Sequence, residues 1–308
     1  MATLPTQPKA RIGVTGATGF IGQHLIRQAL ELGYVVRAMV RTPQKLGGLS
    51  HPNLEIHQAG LGADDAVFCD GCEAVIHLAG LIKAKSRREF DAVNVTGARN
   101  LAKTAQTAEV FRIVLVSSIT ARAPDLSDYA GSKYEGEQAL KAGFNGALAV
   151  IRAPAVFGPG DEATAPFMDL ILKGMLPTAG GRGWRRRKLA LVAVEDIARD
   201  ILIHGLSGEY DGKIVSPCNV GAVTWPEFGQ MAARAADRPV RVIPIPLPII
   251  YLVAAVTSVT SRLLNIGHLT LGKLREFLYE DWSSEDVIQD ALPMEDRLRE
   301  TLHRRTEK

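Results

Sequence analysis

A phenol and an ammonium lie four residues apart in the segment Tyr129-Ala130-Gly131-Ser132-Lys133. If the segment is helical, this spacing places both side chains on one face. A free tyrosine has a pKa of about 10, so ionising it at pH 7 costs roughly 4 kcal/mol. A neighbouring ammonium can supply much of that free energy. The pattern therefore predicts proton transfer by Tyr129 assisted by Lys133; the alternative is an exposed helix face.

Two serines, Ser117 and Ser118, end an apolar run upstream of this pair. Ligands of open α/β sheets bind at the carboxyl ends of the strands. We therefore expect Ser118 to donate a hydrogen bond to a substrate oxygen and Ser117 to support the backbone. No G-x-S-x-G turn surrounds either serine, which argues against serine hydrolase chemistry.

A glycine motif, G-x-x-G-x-x-G, follows the first apolar run and precedes a helical pattern. Such glycines permit a tight turn and a close backbone approach, and the N-terminus of the helix attracts a pyrophosphate. The motif predicts a dinucleotide site; a structural glycine turn is the alternative. The predicted binding residues of this motif are Gly16, Thr18, Gly19, Phe20, Ile21 and Gly22.

The end of the second apolar run is basic. No acidic residue lies between Glu31 and Glu55, where a cofactor without a 2′-phosphate usually finds a carboxylate for its ribose. Arg41 follows the run directly, and Lys45 follows four residues later. Arginine suits a 2′-phosphate, so the sequence favours NADP(H) over NAD(H). Otherwise, Arg41 and Lys45 are solvated loop charges.

Strand-like and helix-like patterns alternate in the first half of the chain, which predicts a doubly wound parallel α/β sheet of the Rossmann type. A smaller, substrate-binding C-terminal domain follows, with the boundary near residue 155, so that 1–155 and 156–308 form two domains with interleaved sheet elements. The predicted strands are 11–15, 35–40, 54–58, 74–78, 112–117, 147–152, 189–194, 214–220 and 240–243. The predicted helices are 90–108, 130–142, 195–204 and 225–236, together with one that begins near Ile21.

Composition excludes some classes of function. A net charge of +3 in 308 residues is too small to indicate nucleic acid as the main partner. The N-terminal residues lack the apolar run of a secretory signal, and three cysteines form no disulfide framework, so we expect a cytoplasmic protein. The pair Cys69 and Cys72 lacks further ligands at zinc spacing, and no metal site is expected.

Two features of the second half bear on the substrate. Five basic residues lie between Arg182 and Lys188 without an acid, which suits either a solvated loop, a phosphate group or an anionic membrane surface. The segment Val242 to Ser261 carries no charge, and its continuous helix from Ile249 is too short to span a bilayer. It could be a buried core helix, an interfacial anchor or the wall of an apolar tunnel.

Together these motifs resemble the extended short-chain dehydrogenases/reductases. The resemblance spans about residues 11–200 and includes the glycine motif, His77-Leu78-Ala79-Gly80, Asn94, Ser118, the Tyr129/Lys133 pair and Ile151-Arg152-Ala153-Pro154. It implies that Tyr129 and Lys133 contact the cofactor, Lys133 by binding the nicotinamide ribose, and that Asn94 completes a proton relay. It further implies cofactor contacts from Leu61, Leu78, Ala79, Gly80, Pro154 and Val156, and a homodimer formed through helices 90–108 and 130–142.

The chain departs from the family at two places. It has Ala59-Gly60-Leu61 where relatives often have Gly-Asp-Leu, and no Tyr-Gly follows Ser118, which weakens the interpretation as an epimerase or dehydratase. Its C-terminal third is similar to the branch of 3β-hydroxysteroid dehydrogenases and bacterial ceramide reductases. The apolar segment and the basic loop together favour a lipid-like ketone or a hydroxysteroid-like alcohol as substrate. With the resemblance, they predict an NADPH-dependent reductase or dehydrogenase acting on such a substrate, with peripheral attachment to a membrane. A sugar-nucleotide epimerase or reductase and a non-catalytic NADPH-binding scaffold are the alternatives.

Overall fold

The computed structural model describes residues 9–61, 65–264 and 270–306, and the chain forms two compact units. The first unit contains the residues up to Pro124, Asp128–Arg152 and Ile197–Val215. The second contains Asp125–Ser127, Ala153–Asp196 and the residues from Ser216 onward. None of the helices in the described part of the chain combines the length and the hydropathy that crossing a bilayer requires.

The strands are short, and those of the first half coincide closely with the apolar runs of the sequence. Their bounds are β1 (Lys9–Thr15), β2 (Tyr34–Val40), β3 (Leu54–Gln58), β4 (Ala74–His77), β5 (Arg112–Ser118), β6 (Ala147–Ala153), β7 (Ala155–Phe157), β8 (Met175–Ala179), β9 (Lys188–Ala193), β10 (Ile214–Val215), β11 (Val220–Thr224), β12 (Arg241–Ile245) and β13 (Asp281–Trp282).

Helices alternate with the strands of the first half and dominate the C-terminal third. Their bounds are α1 (Phe20–Glu31), α2 (Ala66–Cys69), α3 (Arg87–Phe90), α4 (Gly97–Thr107), α5 (Asp128–Gly143), α6 (Ala165–Leu172), α7 (Val194–Asp200), α8 (Trp225–Ala235), α9 (Leu247–Leu264), α10 (Leu271–Leu278) and α11 (Met294–Thr306). Two π-helical turns, Asp91–Thr96 and Ile201–Gly205, extend α3 and α7.

The first unit is built on a seven-stranded sheet with the order β10-β6-β5-β4-β1-β2-β3. Strand β1 pairs in parallel with β2 and β4, and the pairings of β2 with β3 and of β4 with β5 are also parallel. Every residue of β5 is buried, as expected for a central strand covered on both faces. The order reverses at β1, so the carboxyl ends of β1 and β4 lie at the crevice where such sheets bind ligands. The predicted doubly wound fold is confirmed.

Three predicted elements differ in the structure. The helix predicted for 90–108 is divided, because a π turn separates α3 from α4. The helix predicted for 195–204 is α-helical only to Asp200 and continues as the π turn Ile201–Gly205. The strand predicted for 214–220 is also wrong, since it consists of β10 in the first unit and β11 in the second. Ser216 to Asn219 separate the two strands, and Pro217, which has no N–H to donate, cannot continue a ladder there.

The second unit has its own sheets and its own core. Strands β11, β9 and β13 are neighbours, β7 pairs with β9, and β8 pairs with β12 in parallel. Apolar side chains of β8, β9, α8 and α11, such as Leu176, Leu191, Phe228 and Leu298, are buried together. The first half of α9 joins this unit through Ile250 and Ala254, which pack with Ala179 and Leu274.

Candidate active site

The glycine motif forms the loop between β1 and α1, and two of its positions require glycine. Gly16 has a φ of +71°, and a methyl group placed on it would lie 2.6 Å from the backbone nitrogen of Ala79. A methyl group on Gly22 would lie 2.3 Å from the carbonyl oxygen of Gly16. Gly19 donates its N–H to the same carbonyl at 2.9 Å, which closes the turn.

The first turn of α1 is open to an anion. Gly19 is the N-cap residue and offers no side-chain cap, and the first turn, from Phe20 through Ile21 to Gly22, contains no acidic residue. The orphan N–H groups and the positive end of the helix dipole are therefore not satisfied by the side chains of the helix itself. Thr18 lies within the loop, where its carbonyl accepts from Gln23 Nε2 at 3.2 Å. This cradle fits a dinucleotide pyrophosphate, which Gly19 to Gly22 would hold.

A buried threonine–histidine pair supports the loop after β4, and sequence reasoning assigned it no role. Thr15 and His77 are register partners in β1 and β4, and Thr15 Oγ1 lies 2.7 Å from His77 Nδ1. Burial, and secondarily the Lys133 charge, lower the pKa of His77 to about 3, so its imidazole is neutral. Thr15 Oγ1 also accepts from the N–H of Ala79 at 3.3 Å, and Leu78 N donates to the Thr15 carbonyl. The sequence signal for this pair was the presence of one polar residue, Thr15 or His77, at the end of each of two apolar strands.

The basic residues after β2 have different surroundings. Arg37 binds Glu55 at 2.8 Å and several backbone carbonyls of α2 and its C-terminal end. Arg41 and Lys45 are exposed, and Arg41 has no ion pair with any described residue. Gly60 borders Arg41, because a methyl group on Gly60 would lie 3.7 Å from the Arg41 Cδ. The guanidinium of Arg41 is therefore open to an anionic group.

Lys133 reaches from α5 to the carboxyl end of the sheet. Its ammonium donates to the carbonyl of Val116 in β5 at 3.1 Å. A methyl group on Gly80, in the loop after β4, would lie 3.6 Å from its Nζ. Burial lowers the pKa of Lys133 to about 8, and the negative charge of Glu137 opposes this shift. The Lys133 ammonium therefore lies among backbone atoms, and its pKa is close to neutral pH.

Asn94 lies in the π turn Asp91–Thr96 and connects two parts of the first unit. Its Oδ1 accepts from the N–H of Leu81 at 2.7 Å, and its Nδ2 donates to the Leu81 carbonyl at 3.1 Å. Nδ2 also donates to Ser132 Oγ at 2.9 Å, and Ser132 in turn donates to the Tyr129 carbonyl at 2.8 Å. A chain of hydrogen bonds therefore runs from the loop after β4 to the residue at the start of α5.

Gly136, which sequence reasoning missed, allows α5 to approach this turn closely. A methyl group on Gly136 would lie 2.3 Å from the carbonyl oxygen of Asn94. A second glycine of α5, Gly131, faces the Arg87 guanidinium, and a methyl group there would lie 2.7 Å from its Nη1. The only sequence signal was the presence of glycines inside a helical pattern.

Ser118 and Tyr129 flank the segment between β5 and α5. Ser118 is the last residue of β5, and its Oγ accepts from the N–H and the hydroxyl of Thr120, at 3.3 and 2.9 Å. Because both contacts use Ser118 as acceptor, its own proton remains available for donation. Tyr129, the second residue of α5, is half-buried, and its ring centroid lies 5.9 Å from that of Phe90. Tyr129 and Lys133 thus occupy successive turns of one helix, as the spacing predicts.

A buried ion pair lies one turn beyond Lys133, and it was not expected from the sequence. Glu137, 2% exposed, accepts from Arg152 at 3.0 and 2.7 Å. Ser117 Oγ also donates to Glu137 Oε1, at 2.5 Å. These contacts tie α5 to the ends of β5 and β6, and Ser117 therefore faces the interior while the next residue, Ser118, caps the following turn.

The remaining predicted residues lie elsewhere. Leu61 borders Gly97 at the start of α4, since a methyl group on Gly97 would lie 3.2 Å from the Leu61 Cβ. Pro154 and Val156 belong to the second unit, where Pro154 is buried and Val156 pairs with Val192. Their cofactor contacts, like the roles of the other site residues, stay predictions.

The cysteines are free thiols in the interior. Burial raises the pKa of Cys69 to about 12 and that of Cys72 to about 11. Both are therefore protonated at neutral pH and unsuited to nucleophilic chemistry. Cys218 is also buried, and within the described ranges no cluster of His, Cys, Asp or Glu could hold a metal ion.

Comparison with known proteins agrees with this geometry. A family model described as NAD(P)H-binding matches residues 16–153. The chain is 34% identical over 295 residues to a ceramide reductase of Caulobacter vibrioides, an alignment that covers 94% of this chain and 91% of the relative. It is 31% identical over 213 residues to a 3 beta-hydroxysteroid dehydrogenase/Delta 5-->4-isomerase of Mycobacterium tuberculosis, covering 59% and 56% of the two chains.

Solved structures share the fold at low identity. The UDP-glucose 4-epimerase of Thermus thermophilus, solved in complex with NAD, superposes with a TM-score of 0.66 at 19% identity, and the match covers 95% of this chain and 98% of that one. Similarity along nearly the whole chain to one relative and the shared fold agree with the glycine loop and the Tyr129/Lys133 helix. The chain therefore belongs to the extended short-chain dehydrogenase/reductase family, whose members are NAD(P)-dependent enzymes.

Proposed function

We propose that this enzyme uses NADPH to reduce a ketone on an apolar, lipid-like substrate, and that it catalyses the reverse oxidation with the same residues. The reaction type is supported chiefly by the Lys133 ammonium, which binds the Val116 carbonyl at the end of β5 and belongs to the helix that begins around Tyr129. A cation at this position favours a phenolate over a phenol. It also lies beside the loop that carries Leu78, Ala79 and Gly80.

In the proposed mechanism, Ser118 donates its remaining proton to the substrate carbonyl oxygen and orients it. Tyr129 then gives its phenolic proton to the same oxygen as negative charge develops there. Lys133 stabilises the resulting phenolate and binds the nicotinamide ribose. Asn94 and Ser132 hold the start of α5 in place, and Asn94 completes the relay that returns a proton to Tyr129. NADPH, when bound, supplies the hydride for the carbonyl carbon.

The choice of NADPH rests on Arg41 and Lys45. Arg41 is exposed at the carboxyl end of β2 without an acidic partner among the described residues, and Gly60 leaves room beside its stem. A 2′-phosphate at this place would receive charge-assisted hydrogen bonds from the guanidinium. NAD(H) would gain nothing from the same side chain, so we expect the enzyme to discriminate between the two cofactors.

The substrate class is supported by the relatives. The ceramide reductase and the steroid dehydrogenase carry names that specify lipid or steroid substrates. We accordingly assign this chain a 3-oxo lipid such as oxidised ceramide, or a steroid-like ketone. Cytoplasmic location, with peripheral attachment to a membrane, belongs to the same proposal.

A homodimer is a further part of the proposal, formed through α4 and α5. The outer face of α5 exposes Tyr134, with 38% of its surface accessible, and α4 exposes Arg99. A large aromatic side chain on an exposed helix face is typical of protein interfaces. Sedimentation equilibrium of the full chain should give twice the mass of the chain, and a monomer at micromolar concentration would contradict this part.

The experiment that tests the function follows NADPH absorbance with a 3-oxo ceramide, and with UDP-glucose in a parallel series. Tyr129→Phe should lower kcat about 10²- to 10⁴-fold without changing the Kd for NADPH, because it removes only the transferable proton. Tyr134→Phe, one residue beyond Lys133 on the same helix, is the matched control and should retain full activity.

Three outcomes would overturn the proposal. If Tyr129→Phe turns over as fast as the unaltered enzyme, the proton donor is misassigned. Conversion of UDP-glucose without reduction of any 3-oxo lipid would favour the sugar-nucleotide alternative. Tight NADPH binding without turnover of either class of substrate would favour a scaffold.

A further inference from the structure

The segment from β12 to the first turns of α9 exposes a series of large apolar side chains, which we call the apolar ridge. It consists of Ile243, Ile249, Tyr251, Leu252 and Val253, whose exposed fractions are 41, 53, 45, 66 and 45%. Other exposed apolar side chains of the described residues lie mostly one at a time along the sequence. Isolated ones are ordinary on a soluble surface, whereas a contiguous group marks an interaction site.

Helix α9 is apolar on two faces at its N-terminal end. Ile250 and Ala254, four residues apart, are buried with Ala179 and Leu274. The other face presents Ile249, Leu252 and Val253, which have the i, i+3, i+4 spacing of one helical stripe. A surface helix normally covers its outer stripe with polar residues. Of the three alternatives that the sequence leaves open for this segment, a buried core helix does not describe these turns, because the outer stripe is exposed and apolar.

A basic turn, residues 182–186, lies beside the apolar ridge. Gly180 donates its N–H to the carbonyl of Ile245 at 2.9 Å, and a methyl group on Gly181 would lie 2.7 Å from the Leu247 Cδ1. The chain therefore touches the segment between β12 and α9 immediately before Arg182. All of these residues belong to the second unit.

The arginines of this region divide into one buried and three exposed. Arg187 is buried and donates to the carbonyls of Ala179 and Gly180, so it holds the base of the turn. The side chains of Arg182, Arg185 and Arg186 are exposed and have no ion pair with any described residue. The acidic groups near the turn are Glu280, beside Arg187, and Glu227, beside Lys188.

Trp184 completes the arrangement. It is half-buried against the core of the second unit, and the Arg185 guanidinium lies 4.6 Å from its ring centroid. An amphipathic ring next to arginines suits the boundary between headgroups and acyl chains. Apolar side chains, a tryptophan and unpaired arginines together have the composition of an interfacial membrane surface.

From this juxtaposition we infer that the apolar ridge and the basic turn form one docking surface for an anionic lipid bilayer. The ridge inserts below the headgroups, and the exposed arginines bind lipid phosphates above it. This inference rests on the proposed function, because a lipid substrate resides in a membrane. Its test measures membrane binding and does not require turnover. A second copy of the chain is the less suitable occupant, because an isologous contact would bring two sets of unpaired arginines together.

Vesicle binding of the full chain tests the inference. Cosedimentation should be strong with phosphatidylcholine vesicles containing phosphatidylglycerol, weak with phosphatidylcholine alone, and reduced by high salt. The double substitution Arg185→Gln/Arg186→Gln should weaken partitioning about 30-fold, since each basic residue near an anionic surface contributes about fivefold. Leu252→Asp should weaken it at least about tenfold by removing an inserted apolar side chain.

Two matched controls keep the test specific. Val67, in α2 of the first unit, is 66% exposed like Leu252, and Val67→Asp should leave partitioning unchanged. Arg27 and Lys141 are exposed on α1 and α5, and Arg27→Gln/Lys141→Gln removes the same charge without effect. Thermal unfolding should show that each variant remains folded.

Several results would overturn the inference. Equal binding to neutral and anionic vesicles, or equal loss in both control variants, would show that the attraction is not specific to this surface. A sedimentation mass that falls by half in Leu252→Asp would assign the apolar ridge to contact between copies. If the unaltered protein reduces a 3-oxo lipid in detergent but does not bind anionic vesicles, docking is refuted and the proposed function stands. Vesicle binding without reductase activity would support docking and contradict the proposed function.

Discussion

The carboxyl edge of the seven-stranded sheet and the apolar ridge differ in how their side chains are held. At the edge, Thr15, Asn94 and Lys133 are each hydrogen-bonded to other residues of the first unit. Glycines occupy the positions where a methyl group would overlap the backbone. Along the ridge, by contrast, Leu252 and its neighbours extend into solvent with a third or more of their surface exposed. The first region holds its side chains in fixed positions, whereas the second presents an apolar surface to solvent.

This difference sets how each region should respond to substitution. Packed interiors transmit the strain of a single added methyl group, and replacing a buried polar or charged group changes the free energy of unfolding, with a sign that depends on the hydrogen bonds lost and the desolvation relieved. Exposed apolar side chains contribute little to folding, and their replacement changes what the surface binds. The following predictions test this contrast, from the largest expected effect to the smallest.

Lys133→Met should lower turnover about 10²- to 10³-fold, because the phenolate loses its neighbouring cation. It should also stabilise the fold at pH 7 by on the order of 2 kcal/mol, since folding places this ammonium where burial lowers its pKa to about 8. Denaturant unfolding and steady-state kinetics of the two proteins measure both effects. If Lys133→Met loses stability as well as activity, the buried Lys133 charge does not destabilise the fold as proposed.

The pH dependence of Lys133 gives a second measurement of the same group. In the unfolded chain its pKa is near 10.5 and in the folded apo chain about 8, so the unfolded state binds more protons between these values. The free energy of unfolding of the unaltered protein, relative to Lys133→Met, should therefore rise between pH 8 and 10.5. Turnover should fall over the same range as the ammonium loses its proton. A flat difference across this window would contradict the shifted pKa.

Gly136→Ala should destabilise the protein by about 2–3 kcal/mol, because the new methyl group would lie 2.3 Å from the Asn94 carbonyl and the helices must move apart. Ile249→Ala, on the apolar ridge, deletes more atoms but should change the free energy of unfolding by less than about 0.5 kcal/mol. Urea unfolding of both variants makes the comparison. Equal losses would show that the two regions are held alike.

Arg41→Ala should raise KM for NADPH about 10- to 100-fold and leave KM for NADH nearly unchanged, because only the 2′-phosphate uses the guanidinium. Arg37→Ala does not serve as a control, since Arg37 binds Glu55 and the α2 backbone. Lys141→Ala, in the last turn of α5, removes one exposed charge outside the loops after β2 and β4 and should not change the cofactor ratio. An equal rise for both cofactors would contradict the choice of NADPH.

The parts of the fold that could be predicted are those with local causes. Strands buried on both faces appear as continuous apolar runs, and β5, predicted as 112–117, spans Arg112–Ser118 in the structure. The glycine loop was equally accessible, because positive φ and close backbone approach restrict a position to one residue type. The position of Tyr129 and Lys133 on successive turns of one helix followed from their spacing, whereas the prediction of their roles also needed the upstream strand that ends in Ser117 and Ser118.

What could not be predicted depends on contacts between distant residues. Glu137 and Arg152 pair across fifteen positions of sequence, and no local pattern connects them. The π turn at Asp91–Thr96 has no composition that distinguishes it from the α-helices on either side. Strand β8 contains Pro177 and is stabilised by pairing with β12, so the sequence offers only a weak signal. The ridge was visible as an uncharged segment, but which of its faces is covered depends on packing.

The π turn also changes the phase of the helix that contains it. One residue corresponds to about 100° of rotation in an α-helix, so adding or removing a residue turns everything beyond it to another side. Phe90, before the turn, faces the Tyr129 ring, and Leu101, after it, enters the core beneath the sheet. A uniformly wound helix would satisfy one of these directions at the expense of the other. The π turn thus allows one continuous helical segment to contact the Tyr129 phenol at its N-terminal end and to pack into the hydrophobic core at its C-terminal end.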